Sequence, residues 1–428
     1  VRAVNALSQF SSLFKHIGTL LTGNILASVA NFVSIALLAN QLSARDFGVF
    51  VLLQSYIIVL GAVFNPQAWQ GFIKFATTHS DNLHQIIKHT WRYDLALAGG
   101  GFLVAATGAP LYLRLVGISD EYLVVLQTMS LYIFFNQTSL CIGLLRLRDE
   151  FKVLALQNVI ASMLFLGLVL IGMTMEKSTS YFSLCYAFSL IIGLCYINFK
   201  GLLSVRKLGN QQPIVDFDIK RRLRKFNLYA HATSISDIPI KQLDTVLVGV
   251  VLSVEMSGVY KVMKQIGTLT NKLTGPITQV LYPELNKCLA QKNSQRFNAI
   301  FIKMTCLLLV AALPFAAILG LTSEYWLEII FSDYIAKYAF EMSLFLFIHA
   351  IATSFVAIHP AYLAIGYVRS LFYITVLCNV VFIAALYLLG KEFALIGVVA
   401  AVGVQYLFTL VCKAIPLYLE VKRWRVKI

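Results

Sequence analysis

Apolar residues run along this chain in long blocks, and each block is close to the ~20 residues that a helix needs to cross a bilayer. Twelve are predicted, near 17–40, 47–65, 93–115, 121–145, 153–174, 179–202, 227–252, 257–282, 298–321, 338–360, 367–390 and 394–418. Repetition of this length predicts an all-α polytopic membrane protein. The first block is too long for a signal-peptide core and has no small-residue cleavage site, so it is expected to be a retained first span.

Polar residues inside the blocks are not scattered. In the eighth, Lys261, Lys264, Gln265, Thr268, Asn271, Lys272, Gly275 and Gln279 fall in one stripe at 100° per residue, opposite Val262, Met263, Ile266, Leu269 and Leu273. A lysine at the bilayer centre costs roughly 2.5–3.5 kcal/mol. Three facing lipid are not tolerable, so they must look into protein or a water-filled cavity. A basic intramembrane cavity implies an anionic cargo. In the seventh block Ser234, Asp237, Lys241 and Asp244 share one face, with Lys241 expected to pair with a flanking carboxylate. Pro239 lies in the same stretch and predicts a kink. Asn24, Ser28 and Asn31 form a milder stripe in the first block, and Gln54, Gly61 and Asn65 another in the second, before Pro66. Such stripes also serve bundles as buried helix–helix hydrogen bonds or structural ion pairs, and both readings stand at this point. His231, His349 and His359 read as packing or hydrogen-bonding residues.

Of the 428 residues, 59% are hydrophobic and 13% charged, and the mean hydropathy is +0.77, which excludes an ordinary soluble domain. The net charge of +15 is placed unevenly. One set of alternate connections holds Lys15, Lys74, Lys88, Arg92, Arg146, Arg148, Lys152, the 206–225 loop, Lys287, Lys292, Arg296, Arg369 and the basic tail. The other has only Arg45, Arg114, Lys177, Lys337 and Lys391, mostly beside acids. Positive residues mark the cytoplasmic side, so both termini are expected there, as an even number of spans also requires. The seven cysteines form no CxxC or metal-like cluster and read as packing residues. The run Lys220-Arg221-Arg222-Leu223-Arg224-Lys225 suits a surface beside anionic membrane lipid and not a nucleic-acid patch.

The chain repeats itself weakly. Leu42, Ser43, Gly48 and Val49 match Leu252, Ser253, Gly258 and Val259 in one register, and Pro66 meets Pro276 in that register. Later matches follow in order, Ser119-Asp120 with Ser332-Asp333 and Asn158-Val159 with Asn379-Val380. The expected organisation is a six-helix lobe at 1–205, a basic cytoplasmic linker at 206–226 and a second six-helix lobe at 227–428. As a parallel repeat, the lobes are expected to enclose a central cavity walled by spans 1, 2, 7 and 8. Gln54 stands where the second copy has Lys264, and Val51 where it has Lys261, so the charge belongs to the second copy. Pro66, Pro239 and Pro276 are candidate bending points.

Leu42-Ser43-Ala44-Arg45-Asp46-Phe47-Gly48-Val49-Phe50 and Leu281-Tyr282-Pro283-Glu284-Leu285, within this twelve-span layout, resemble the Wzx-type polysaccharide flippases of the multidrug/oligosaccharidyl-lipid/polysaccharide superfamily. The resemblance implies transfer of an undecaprenyl-diphosphate-linked oligosaccharide across the bacterial inner membrane by alternating access, for O-antigen or other surface polysaccharide. It also implies work beside a polysaccharide polymerase and chain-length machinery. Lys264, Lys272, Lys261 and Lys241 would hold the diphosphate. Asp237, Asp244, Asn24, Asn31, Gln54, Thr268 and Asn271 would line the cavity or couple transport to an ion. No cofactor is expected beyond a coupling proton or sodium ion. The competing readings are a drug/cation antiporter of the same superfamily, which would need unpaired intramembrane carboxylates, and a membrane glycan polymerase or ligase. The longest external connection, about 322–337, is too short for an enzyme's domain, and no Gly-rich phosphate loop occurs.

Overall fold

The computed structural model describes residues 2–206, 216–236, 238–267, 293–364 and 368–426, with positions 281, 285 and 288. Every regular element among them is helical. Among the described residues nine stretches are long and apolar enough to cross a membrane, from Gly18–Gln41 to Ser370–Lys422. The last is broken where Phe393 and Ala394 leave helical backbone, Ala394 at φ 50°, so it consists of two helices that meet near the boundary between the blocks expected at 367–390 and 394–418. The chain is a multi-pass membrane protein.

Two compact units divide it, one of Val1–Leu42 with Val49–Ile238, the other of Ser43–Gly48 with Pro239–Ile428. In the first, α1 (Arg2–Gln41) packs along α8 (Phe151–Thr174), and α8 along α9 (Thr179–Arg206). Small residues permit this closeness: a Cβ on Gly23 would stand 2.8 Å from that of Ala155. α2 (Ala44–Val63) sends the Tyr56 hydroxyl to the Ala105 carbonyl at 2.6 Å on α4 (Leu83–Val116), and Tyr112 of α4 returns a bond to the Leu52 carbonyl at 2.8 Å. At one end, α3 (Trp69–Thr78) and α10 (Phe217–Ser236) close over α4, burying Phe72, Ile86, Ile219 and Leu223 together.

The fourth block is not the single helix expected over 121–145. It is three short ones, α5 (Leu123–Met129), α6 (Leu131–Phe135) and α7 (Ser139–Leu147). A break at this depth must be satisfied by protein, because lipid supplies no hydrogen bonds. Amides do it. Asn198 Nδ2 donates to the Phe135 carbonyl at 3.2 Å, Asn136 Nδ2 to the Gly61 carbonyl at 3.2 Å, and Asn65 Nδ2 to Asn136 Oδ1 at 3.3 Å. Buried Asp94 of α4 accepts the Leu140 N–H at 3.1 Å, placing a carboxylate at the start of α7. The seventh block is also divided. α10 ends at Ser236, Pro239–Leu243 forms a π-helical turn, and α11 (Asp244–Val251) follows, so Pro239 interrupts the helix as expected. Pro66 lies between α2 and α3, in a connection where Gln67 takes φ 51°.

In the second unit, α11 turns at Leu252 and Ser253 into α12 (residues 254–267). α13 (Ser294–Leu321) packs on α16 (Ala339–Ser354), with α14 (Ser323–Ile330) and α15 (Asp333–Ala336) between them in sequence, and α17 (Ile358–Ala364) leads to the long broken α18 (Val368–Val426).

The repeated residues have matching physical roles. Ser43 Oγ accepts the Asp46 N–H at 3.1 Å and starts α2; Ser253 Oγ accepts the Met256 N–H at 3.3 Å and starts α12. The paired glycines meet each other's partners. A Cβ on Gly48 would stand 2.2 Å from the Val254 carbonyl oxygen, and the Ser257 hydroxyl reaches the Gly48 carbonyl at 3.4 Å. A Cβ on Gly258 would stand 2.8 Å from the Phe47 ring. Since Phe47 and Ser257 correspond in the repeat, the contact is reciprocal.

Gly48→Ala is expected to lower the melting temperature of the purified protein, since overpacking here costs about 1–3 kcal/mol. Gly99→Ala, with nothing within 4 Å of the new methyl, should leave it unchanged; equal effects of the two would refute the close contact.

Candidate functional site

The turn between α11 and α12 lays the first residue of α11 beside the middle of α12. Asp244 is thereby buried against two side chains that are remote in the span pattern. Its Oδ1 accepts the Lys264 ammonium at 2.5 Å and the Thr245 N–H at 2.8 Å; its Oδ2 accepts the Tyr260 hydroxyl at 3.0 Å. The carboxylate side chain is 4% exposed and that of Lys264 22% exposed. A buried carboxylate taken from water is tolerable only when its lone pairs are filled in this way. Lys264 is the more open member, so the pair has a wet and a dry end.

Lys261, one turn earlier on α12, is half-buried and lies in the electrostatic field of both Lys264 and Asp244. Among the described residues it makes no ion pair. Two ammonium groups thus stand beside one carboxylate among the described residues, an excess of positive charge. Around it stand aromatic side chains. The Tyr260 ring meets Phe345 edge-on at 6.4 Å, Phe345 stacks on His349 at 5.4 Å, and the Tyr406 hydroxyl approaches His349 Nδ1 at 3.4 Å. Gly267 leaves room for the imidazole, whose Nε2 would stand 3.3 Å from a Cβ there.

The other expected site residues divide in three. Asn24, Ser28 and Asn31 are taken up in α1 and its packing on α8. Asn158 Nδ2 donates to Asn24 Oδ1 at 3.1 Å, Asn31 Nδ2 donates to Ser162 Oγ at 3.0 Å, and the Ser28 hydroxyl returns to the Asn24 carbonyl at 2.5 Å. Gln54 is buried, with its amide beside the Tyr186 hydroxyl and its Oε1 unfilled. Asp237, Thr268, Asn271, Lys272 and Pro276, and the side chain of Lys241, lie outside the described residues. The expected pairing of Lys241 with one of its flanking carboxylates falls outside the described residues; for Asp244 the structure records Lys264, brought there by the helix turn. Tyr260 reads from the sequence as a residue for stacking on sugar rings or anchoring at the interface, whereas the structure turns its hydroxyl to Asp244; Tyr406 gives no signal in the sequence.

The family of polysaccharide biosynthesis proteins matches residues 37–339, more than half of the chain. The chain belongs to that family. No curated protein matches its sequence. Its fold is that of the multidrug/oligosaccharidyl-lipid/polysaccharide superfamily of transporters. An inward-facing multidrug-resistance MATE transporter of this superfamily superposes with a TM-score of 0.74 at 11% identity, over 93% of this chain and 95% of the other. The lipid II flippase MurJ in an inward closed conformation gives 0.74 at 13%, over 94% and 87%. A superfamily transporter from Pyrococcus furiosus, described as having a binding pocket of reverse polarity, gives 0.65 at 12%, over 97% and 96%. For this family member the two-lobed all-α class read from the sequence is therefore the observed one.

Asp244→Asn is expected to destabilise the protein by about 2 kcal/mol, less than the ~3–5 kcal/mol for breaking a dry pair, because water reaches Lys264. Asp244→Asn with Lys264→Met should recover most of that in thermal unfolding, and a double variant no better than the single one would show the two uncoupled. Asn31→Ala should cost about 0.6 kcal/mol, as for an average interhelical hydrogen bond, and leave transport unchanged; lost transport at normal abundance would return Asn31 to the cargo path.

Proposed function

We propose that this protein is a flippase that moves undecaprenyl-diphosphate-linked oligosaccharide repeat units across the bacterial inner membrane by alternating access, for O-antigen or another surface polysaccharide. The observation that carries the reading is the cationic surplus that, among the described residues, Lys261 and Lys264 form around Asp244. A diphosphate is the chemical complement of that surplus. Asp244 positions Lys264 while no cargo is bound, and an arriving phosphate competes for the ammonium at its more open end. Lys272 and Lys241 extend the same basic wall in sequence. Membership of a polysaccharide biosynthesis family supports a glycan-bearing cargo, and the variation in pocket polarity described within the superfamily supports an anion-binding member.

In this reading transport is the activity, and no cofactor takes part beyond a coupling proton or sodium ion. Polysaccharide polymerase and chain-length proteins would consume the exported unit, and both termini would be cytoplasmic. A drug/cation antiporter would need a carboxylate free for an organic cation, whereas Asp244 is occupied by Lys264 and Tyr260.

Deleting the gene should cause lipid-linked repeat units to accumulate in the cytoplasmic leaflet. Complementation with Lys261→Gln or with the Asp244→Asn/Lys264→Gln pair should restore at most about a tenth of export at equal membrane abundance. Full export by both variants, or efflux of cationic dyes by the wild type, would overturn the assignment.

A further inference from the structure

α4 and α10 present positive charge to each other. From α4, His89, Arg92, Tyr93 and Ala96 line a cavity of about 250 Å³; from α10, Lys220, Leu223, Arg224 and Asn227 close it. These are one-face positions on each helix, i, i+3, i+4 and i+7. Lys88 stands at the mouth: it, Arg92 and Lys220 all bear electrostatically on the His89 ring, and Arg224 bears on Tyr93. None of Lys88, Arg92, Lys220 and Arg224 forms an ion pair among the described residues, where the only pair on α10 joins Arg222 to Asp218. Of the neighbouring carboxylates, Asp94 is turned into the core and held by the Leu140 N–H, Asp218 pairs with Arg222, and Asp216 accepts the N–H groups of Asp218 and Ile219 at the start of α10.

Two helices packed through Ile86, Ile219 and Leu223 thus hold like charges around an open space. Without a counter-ion this arrangement opposes the packing that creates it, because like charges on adjoining faces are destabilising. Asn227 closes the wall at 3% exposure, with its Oδ1 lying against Gly71 of α3. A phosphate supplies what the cavity lacks: negative charge and several strong acceptors for guanidinium, ammonium and tyrosine hydroxyl.

The surroundings indicate which phosphate. From His89 to Ala96 the cavity follows about 10 Å of α4 at 1.5 Å per residue, passing from the basic end of the helix towards its apolar length. Trp91 is 46% exposed and Phe217 78% exposed beside it, as suits side chains at a headgroup boundary. Lys88, Arg92 and the basic residues of α10 belong to the charge set expected on the cytoplasmic side. We infer that the cavity between α4 and α10 is a binding site for the phosphate diester of one anionic phospholipid headgroup of the cytoplasmic leaflet. Arg92, Lys220 and Arg224 are its main ligands, and the acyl chains lie along the apolar part of α4. The site lies in the first unit and is separate from the Asp244 cluster in the second.

The test is retention of lipid by the purified full-length protein in native mass spectrometry. Phosphatidylglycerol, phosphatidylethanolamine and inorganic diphosphate are added in separate arms. One phosphatidylglycerol should be retained in preference to phosphatidylethanolamine. Arg92→Gln/Arg224→Gln should weaken retention roughly 30-fold, about fivefold for each charge removed. Lys220→Gln, an exposed single replacement, should weaken it about fivefold and serves if the double variant does not fold. Lys303→Gln, in the other unit, should change nothing. Undiminished phosphatidylglycerol retention by the variants would overturn the site. Variant-sensitive binding of diphosphate with no lipid preference would overturn the lipid assignment, leaving a soluble phosphate as ligand.

Discussion

The second unit depends on one buried carboxylate being fully occupied. Asp244 sits in an apolar helix where an unpaired charge would be expelled or neutralised. Its tolerance there requires Lys264 and Tyr260 to arrive from α12, so the tight turn at Leu252–Ser253 and the register of the two helices are tied to it. The π-helical turn at Pro239–Leu243 delivers Asp244 to the first position of α11, and extra residues in a turn of this kind commonly accompany functional sites. Removing the carboxylate would leave a lysine in the membrane, and removing the lysine would leave an acid. Each is present because the other is.

The polar groups of the first unit obey the same constraint with neutral chemistry. Amides and hydroxyls join α1 to α8 and mend the broken fourth span, where Asn198 fills the Phe135 carbonyl and Asn136 ties the break to α2. The sequence stripes of the two units look alike, yet one is mostly adhesive and the other keeps charge in reserve. The distinction lies in where surplus remains after the hydrogen bonds are made.

The spans were legible because lipid sets their length and forbids charge. The repeat was legible because Ser43/Ser253 and Gly48/Gly258 keep the same cap and the same close approach. The lysine face of α12 was legible from periodicity alone. What escaped is what depends on pairing between distant segments. The bond between Asp244 and Lys264 is one case, since i, i+3 spacing is visible in a sequence and a helix hairpin is not. The break at 136–138 was read through, because the polar run Asn136-Gln137-Thr138 is too short to end an apolar block, and its rescue comes from Asn65 and Asn198. The cavity between α4 and α10 was legible only as a basic run, because Arg92 and Arg224 are separated by most of the first unit.

The reciprocal contact at Gly48 and Gly258 bears on how such a chain could arise. Each copy of the motif offers a bare backbone and a neighbouring side chain, and receives the same from the other copy, so the surface is self-complementary in the manner of an isologous dimer interface. A gene encoding six helices would already possess this surface and could assemble with its own product. Tandem duplication would then join two subunits that recognised each other beforehand. Only after fusion could one copy acquire lysines where the other retained glutamine and valine.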